Sequence, residues 1–227
     1  MKVLAIVPAY NEEESLERTM TSLQAACPQV DVLVINDGSR DATGEICDRN
    51  GYNHLDMPIN CGLTAGFQAG IKYALRNGYD AAVQFDADGQ HLPEYIPAMA
   101  KAMEDEDADI VIASRFLEGD RGHSLRHVGN ALISGLIRLT TGVRITDPTS
   151  GMRMYRRNLF EDFARGFDIG PEPDSIAILI TQDNARVMEV PAQMRDRAAG
   201  ESYLKPARAI QYMARTCLNI LFFQWFK

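Results

Sequence analysis

The sequence lacks several features that would assign it to a simple class. It has no apolar run of about 18 residues or more, so no conventional membrane-spanning helix is predicted. Its 4 cysteines show neither metal-site nor redox spacing, and we expect buried thiols in a reducing compartment. The Gly-x-Gly-x-x-Gly turn of dinucleotide-binding modules is missing, since "VPAYNEE" follows the first apolar run. These absences argue against a membrane-spanning protein, a disulfide scaffold and a Rossmann-type module.

Targeting signals are also missing. The apolar run from Val3 to Val7 is too short for a signal peptide and meets Pro8 and "NEEE" at once. We therefore expect a cytoplasmic protein.

Charge is distributed unevenly along the chain, whose net charge is -8. Residues 1–120 hold 8 basic and 21 acidic side chains, whereas residues 121–157 hold 7 arginines and a single acid, Asp147. Residues 195–227 are basic again, with 6 basic and 2 acidic side chains. Anionic partners are therefore expected to meet the second half of the chain. Phosphorylated small molecules and an anionic membrane fit this pattern, whereas no motif supports nucleic acid.

Four continuous apolar runs predict buried parallel strands: "KVLAIV", "VDVLVI", "AAVQF" and "DIVIAS". Helical stretches separate them, the first predicted to start after Asn11 with three glutamates in its first turn. This alternation predicts an α/β fold with a mostly parallel sheet and helices on both faces. Ligands of such sheets bind at the carboxyl ends of the strands.

Two carboxylates stand at the end of the third run, in "VQFDADGQH" from Val83 to His91. Asp86 and Asp88 can both turn toward a hard cation such as Mg²⁺, which takes one or two carboxylates and completes its shell with water and substrate phosphates. Gln90 offers a third oxygen. A solvated turn is the alternative interpretation, because "DADG" is also good turn chemistry.

Six segments together resemble the family 2 glycosyltransferases. In order they are "IVPAYNEEESLERT", "VLVINDGSRDAT", "NCGLTAGFQAGIKYA", "VQFDADGQHLPE", "ASRF" and "DPTSGMRMYRR". The likeness covers residues 2–160, returns at "RDRAAGES", and is greatest to the polyprenyl-phosphate sugar synthases. It implies a GT-A nucleotide-sugar-binding fold and inverting transfer from a UDP- or GDP-sugar to a polyprenyl phosphate, with Mg²⁺ or Mn²⁺ as cofactor.

The resemblance also implies roles for individual residues. Donor-binding positions are Pro8, Tyr10, Glu12, Asp37, Gly62, Asp86 and Ser202. Acceptor-binding positions are Arg115, Arg126 and Asn130. Metal ligands are Asp86, Asp88 and Gln90, and the catalytic set is Asp86, Asp88, Arg115 and Arg197. The basic residues of the segment 121–157 are all arginines, which suit the phosphate oxygens of an acceptor.

The chain departs from the family pattern at several positions. Asn36 replaces the first acid of an Asp-Asp-Gly-Ser signature, and Asn130 stands where serine is usual. Where relatives with a hydroxyl acceptor carry a base aspartate, this chain has "GPEPDSI". Glu172 and Asp174 there are either bases or ordinary loop and helix-start carboxylates. A base would indicate the alternative function, transfer to a glycan hydroxyl in cell-wall or surface polysaccharide synthesis.

The chain ends in an amphipathic stretch, "PARAIQYMARTCLNILFFQWFK". We interpret residues 1–203 as the glycosyltransferase domain and residues 204–227 as an amphipathic helix. That helix either lies at a membrane interface or packs on the domain or on a partner chain. A lipid acceptor favours a peripheral enzyme on the inner face of the membrane, with a small membrane protein or a second copy of the chain as further partners.

Overall fold

The computed structural model describes residues 1–117, 125–165, 169–195 and 206–222. The strands in these ranges are β1 (Val3–Ala9), β2 (Asp31–Asn36), β3 (His54–Asp56), β4 (Ala81–Gln84), β5 (Ile110–Ser114), β6 (Arg153–Arg156) and β7 (Val187–Pro191). The helices are α1 (Leu16–Ala26), α2 (Thr43–Asn50), α3 (Leu63–Arg76), α4 (Tyr95–Asp105), α5 (Leu125–Thr141), α6 (Phe160–Arg165), α7 (Pro173–Asp183) and α8 (Pro206–Phe222).

The strands form one sheet in the order β3-β2-β1-β4-β6-β5-β7. Strand β1 pairs in parallel with β2 and β4, and the pairs β2–β3 and β5–β7 are parallel as well. Strand β6 runs antiparallel between β4 and β5. The prediction of a mostly parallel sheet is therefore confirmed, with one reversed strand that the apolar pattern did not reveal.

Helices cover both faces of the sheet, as predicted. On one face, α1, α2 and α4 contribute Leu16, Ile46, Met99 and their neighbours to a continuous apolar cluster. On the other face, the helices α3, α5, α6, α7 and α8 build a second cluster that includes Phe67 and Ile176. Each continuous apolar run thus buries its side chains on both sides of the sheet, which explains the absence of polar alternation.

The prediction that the first helix starts after Asn11 is wrong, because α1 begins at Leu16. Asn11 has a φ of 56°, outside the helical region, and its side-chain oxygen accepts the backbone N–H of Arg40. The backbone N–H of Glu12 donates to the Thr43 hydroxyl and that of Glu13 to Asp41. Bonds to a distant loop thus replace the first helical turn.

We expect Gly70→Ala to destabilise the protein by about 1–3 kcal/mol, the usual range for overpacking. A Cβ at Gly70 would lie 2.5 Å from Cγ2 of Ile6, a fully buried residue of β1. Gly135→Ala on α5 is the matched control, because no atom lies within 4 Å of its added Cβ. The control should stabilise by roughly 0.5–1 kcal/mol through helix propensity. Urea unfolding of both variants measures the difference, and equal shifts would contradict close α3–β1 packing.

Candidate active site at the carboxyl edge of the sheet

Polar residues from several strands meet at one edge of the sheet. Strands β1, β2, β4 and β5 end there, followed by Tyr10, Asp37, Asp86 and Arg115 respectively. Because β6 is reversed, the turn that precedes it lies at the same edge, and a Cβ added to Gly151 would be 3.0 Å from Oδ2 of Asp86. Reversal of β6 therefore brings the "DPTSG" turn against the carboxylate that follows β4.

Two residues, Gln84 and His91, bond to Asp86. The side-chain amide of Gln84 donates to Oδ1 of Asp86 at 2.8 Å. The backbone N–H of Asp86 donates to Nδ1 of His91 at 2.9 Å, and Nε2 of the same ring lies 3.5 Å from Oδ2. The Asp86 side chain is 35% exposed, so its carboxylate is held in place and remains open to a ligand.

Asp88 and Gln90 belong to the same turn. Asp88 is 5% exposed, and its Oδ1 accepts the backbone N–H of Gln90 at 3.0 Å. Helix α1 supports the turn, since the Thr19 hydroxyl donates to the carbonyl of Ala87. The backbone N–H of Arg195 donates to the carbonyl of Gln90, so the chain returns to this turn after β7. Arg197 and Ser202 lie outside the described residues.

The donor set at this turn suits a hard dication. In the described part of the chain, no three His, Cys, Asp or Glu side chains gather to complete a metal shell by themselves. Two carboxylates and one amide oxygen match the way Mg²⁺ is usually held, with a few protein oxygens and the rest from water and substrate phosphates. Asp86, Asp88 and Gln90 therefore fit a divalent cation that arrives with a diphosphate.

Asp37 organises the loop that leads into α3. Its two carboxylate oxygens accept the backbone N–H groups of Cys61 and Gly62, at 2.7 and 2.8 Å. Gly62 has a φ of 85°, which favours glycine, and it precedes the first residue of α3. Asn36, the departure from the family signature, donates to Asp56 at 2.7 Å. Asp37 thus holds the N-terminal end of α3, where a helix favours negative charge, at the predicted nucleoside position.

The other predicted donor residues lie at the end of β1. Pro8 is half-buried opposite Ile35 of β2, and Tyr10 follows the strand directly. The Ser15 hydroxyl donates to Oε2 of Glu12 at 2.5 Å. A cleft of about 420 Å³ opens beside Glu12, between residues 11–15 and 40–41, and its lining does not include Asp86 or Asp88.

Arg115 forms a two-point ion pair with Asp147, which is fully buried. Its Nε and one terminal nitrogen lie 2.7 Å from the two carboxylate oxygens of Asp147, and that same nitrogen also donates to Thr149. Asn130 is buried beside them, with its amide bonded to the carbonyl of Thr146 and the hydroxyl of Thr149. Arg115, which follows β5, and Asn130 of α5 therefore both bond to the loop of residues 146–149. The Arg126 side chain lies outside the described residues.

Both candidate bases are engaged within the fold. Oε1 of Glu172 accepts the Thr64 hydroxyl at 2.7 Å, and burial raises the pKa of Glu172, with the charge of Asp174 adding to the rise. Asp174 is 9% exposed, and Asn219 of α8 donates to its Oδ2 at 2.6 Å. Glu172 is therefore partly buried and Asp174 buried, and each carboxylate accepts a hydrogen bond from a side chain of the fold.

The sequence reasoning missed several residues of the site. Gln84 and His91 contact Asp86. Asp147 pairs with Arg115, and Thr64 donates to Glu172. A usable signal was present for His91, which stands five residues after Asp86 in the same motif, at the distance of a tight turn. The contacts of Asp147 and Thr64 span 32 and 108 residues and leave no local signal.

Comparisons with known proteins agree with this geometry. A family model described as "Glycosyl transferase family 2" matches residues 4–163. Undecaprenyl-phosphate mannosyltransferase of Micrococcus luteus is 34% identical, over 89% of this chain and 87% of its own length. Polyprenol monophosphomannose synthase of Mycolicibacterium smegmatis is 36% identical, over 70% of this chain. The matched region covers 63% of that second relative, which is less than two thirds of its length.

Solved structures show the same fold. Glucosyl-3-phosphoglycerate synthase of Mycobacterium tuberculosis, crystallised with Mn²⁺, UDP and glucosyl-3-phosphoglycerate, superposes with a TM-score of 0.72. The match covers 98% of this chain and 79% of that one, at 19% identity. The GT-A fold expected from the sequence is thereby confirmed.

We expect Glu172→Gln to stabilise the protein above neutral pH. The folded-state pKa of Glu172 is above the ordinary value of 4.5, so ionisation of this group costs stability as pH rises through that window. Glutamine cannot ionise and still accepts the Thr64 hydroxyl. The gain in unfolding free energy over the wild type should be absent in acid and should grow to a plateau at higher pH. Urea titrations across this range measure it, and a gain that shrinks with pH would contradict the assignment.

Proposed function

The chain belongs to glycosyl transferase family 2, and from that membership we propose that it transfers a sugar from a UDP- or GDP-sugar to a polyprenyl phosphate. In this reaction a phosphate oxygen of the acceptor bonds to the anomeric carbon with inversion. The bond from that carbon to the diphosphate breaks, and the nucleoside diphosphate leaves. The printed names of the relatives from M. luteus and M. smegmatis, both of which act on polyprenyl phosphates, support this acceptor.

The acceptors in the printed names of these two relatives carry this proposal, and the side-chain bonds of Glu172 and Asp174 agree with it. A hydroxyl acceptor needs a base to take its proton. A phosphate monoester has a second pKa of about 6 and is already ionised near neutral pH. Glu172 has a raised pKa and accepts a bond from Thr64, while Asp174 is bonded to Asn219 of α8. An acceptor that brings its own charged oxygen fits these surroundings.

Each loop at the carboxyl ends of the strands is proposed to have a part in the reaction. Asp37 and the N-terminal end of α3 hold the nucleoside side of the donor. Asp86, Asp88 and Gln90 would hold Mg²⁺ or Mn²⁺ against the diphosphate. When bound, the metal supplies Lewis-acid stabilisation of the charge that develops on the leaving group. Arg197 and Ser202 follow Arg195, which is bonded to Gln90, so the predicted diphosphate-binding segment starts beside the acidic turn.

The acceptor phosphate is proposed to bind near Arg115. Among the described residues, Asp147 and Thr149 engage Nε and Nη2 of its guanidinium, and a phosphate oxygen is proposed to bind Nη1. Arg126 and Asn130 complete the predicted acceptor set. Since Asn130 bonds to Thr146 and Thr149, its contribution through the shape of this loop is supported by two contacts.

An apolar surface suggests where the enzyme meets the bilayer. No described helix is long and apolar enough to cross a membrane. Helix α5 nevertheless exposes Val128 (67%), Leu132 (52%) and Leu139 (77%), which share one face by their spacing. Helix α8 packs against α5 and α7 and exposes Leu218 and Phe222 on its outer side.

Basic side chains accompany this apolar surface. Three arginines are exposed: Arg138 lies on α5, Arg144 follows that helix, and Arg215 lies on α8. Exposed apolar residues combined with cations are typical of helices that lie in an anionic membrane interface. We propose that α5 and α8 together form this contact on the inner face of the membrane. Binding of a small membrane protein or of a second copy of the chain stays a prediction.

The transfer is tested by incubating membranes and protein with a panel of radiolabelled UDP- and GDP-sugars. We expect label in the organic phase, with a loss of about 100-fold or more in Asp88→Ala, since charge stabilisation is typically the largest catalytic contribution. Glu172→Gln should retain most activity. Label found only in water-soluble glycan, together with an inactive Glu172→Gln, would support a hydroxyl acceptor and contradict the proposal.

Vesicle flotation tests the membrane surface. We expect Leu132→Glu combined with Leu139→Glu to reduce binding to anionic vesicles at least several-fold, because two apolar contacts are lost and two repelled charges are added. Leu55→Glu on β3, an outermost strand of the sheet, is the control and should bind like the wild type. If both proteins float equally well, the bilayer contacts another surface.

A further inference from the structure

We propose that Gln84 and His91 are positioning residues that fix the Asp86 carboxylate for a divalent cation. The proposal rests on the proposed function, since it assumes that Asp86 is a metal ligand. It adds two residues to the site, neither of which touches the metal or the substrate. Together they bond to the backbone N–H and to Oδ1 of Asp86, with the His91 ring beside Oδ2.

The contact with His91 determines which ring nitrogen carries the proton. Nδ1 accepts the backbone N–H of Asp86 at 2.9 Å, so Nδ1 has no hydrogen of its own. The ring is therefore neutral with its proton on Nε2, which lies 3.5 Å from Oδ2 of Asp86. His91 is 5% exposed, and its ring packs edge-on against Phe85 at a centroid distance of 5.5 Å. A single buried ring thus bonds to the backbone of Asp86 and lies beside its carboxylate.

Gln84 holds the other oxygen and does so at a cost in stability. Its Nε2 donates to Oδ1 of Asp86 at 2.8 Å, and the residue is 2% exposed. Its Oε1 is buried and has no hydrogen-bond partner among the described residues. An unsatisfied buried oxygen is unfavourable for stability. A buried glutamine at this position is accounted for by its contact with Asp86.

Gly151 leaves room for this arrangement. A Cβ at Gly151 would lie 3.0 Å from Oδ2 of Asp86 and 3.2 Å from Nε2 of His91. Any larger side chain would therefore push the carboxylate and the imidazole apart.

The chemistry of the two partners matters as much as their positions. Within the described residues, Asp86 contacts an amide and a neutral imidazole, with no arginine or lysine against it. Neutral donors orient a carboxylate and leave its negative charge available to a dication, whereas a paired arginine would compete with the metal. Partners that orient metal ligands typically change metal affinity 10- to 100-fold when they are removed.

The test measures Mn²⁺ affinity by electron paramagnetic resonance of the free ion, with Mn²⁺ alone and with added UDP or GDP. His91→Phe keeps the ring volume and removes both nitrogens, and its dissociation constant should rise about 10- to 100-fold. His91→Asn retains an acceptor at the Nδ1 position and should fall between this variant and the wild type. His54→Asn on β3 is the control and should bind like the wild type. Circular dichroism verifies that each variant is folded.

Gln84→Met provides an independent variant that separates positioning from packing. It removes the donor to Asp86 together with the unsatisfied oxygen. We expect weaker Mn²⁺ binding with an unchanged or higher midpoint of thermal unfolding. A role in packing alone predicts the opposite, a lower midpoint and unchanged Mn²⁺ affinity, and that result would overturn the proposal for Gln84.

An Asp86→Ala background completes the experiment. If His91 acts through Asp86, His91→Phe should cause no further loss of Mn²⁺ affinity in that background. One result would overturn the inference alone and leave the proposed function standing. In that result the wild type binds Mn²⁺, Asp86→Ala abolishes the binding, and His91→Phe leaves it unchanged. A wild-type protein that binds no Mn²⁺, with or without a nucleotide, would overturn both the inference and the proposed metal-dependent function.

Discussion

Parallel pairing of β1 with β2 and β4 is the constraint on which the site depends. Three strands that run the same way must end at the same edge, so Tyr10, Asp37 and Asp86 become neighbours although they lie far apart in sequence. The reversed strand β6 completes the arrangement, because it enters the sheet from that edge and places Gly151 against Asp86. The proposed donor, metal and acceptor positions thus follow from strand direction.

Charge is handled in two different ways around this edge. Arg115 is paired at two points with the fully buried Asp147, and the buried Arg153 donates to the carbonyls of Pro148 and Pro171. These cations stabilise the "DPTSG" turn and hold it rigidly. Asp86 instead contacts the Gln84 amide and the His91 imidazole. The same edge therefore combines a turn whose charges are compensated internally with a carboxylate that is proposed to bind a dication.

The C-terminal helix links the acceptor question to the membrane. Helix α8 bonds through Asn219 to Asp174, one of the two positions where a base would stand, and buries Ile220 and Thr216 against the domain. It also exposes Leu218 and Phe222, and the neighbouring α5 exposes apolar residues of its own. Helix α8 thus bonds to one candidate base and contributes to the proposed bilayer contact. Both properties agree with a phosphorylated lipid acceptor.

Local patterns in the sequence were enough to predict the strands β1, β2, β4 and β5, the acidic pair and the family, because continuous apolar runs and short motifs depend on neighbouring residues. They did not predict the reversal of β6, the late start of α1, or the partners of Asp86, Arg115 and Asp174. Those features come from contacts between distant segments, such as Asn11 with Arg40 and Asn219 with Asp174. A chain's own pattern determines which segments form strands and helices and which side chains are chemically capable, whereas only the packed sheet decides which of them meet, because hydrogen bonds across the fold override local preference.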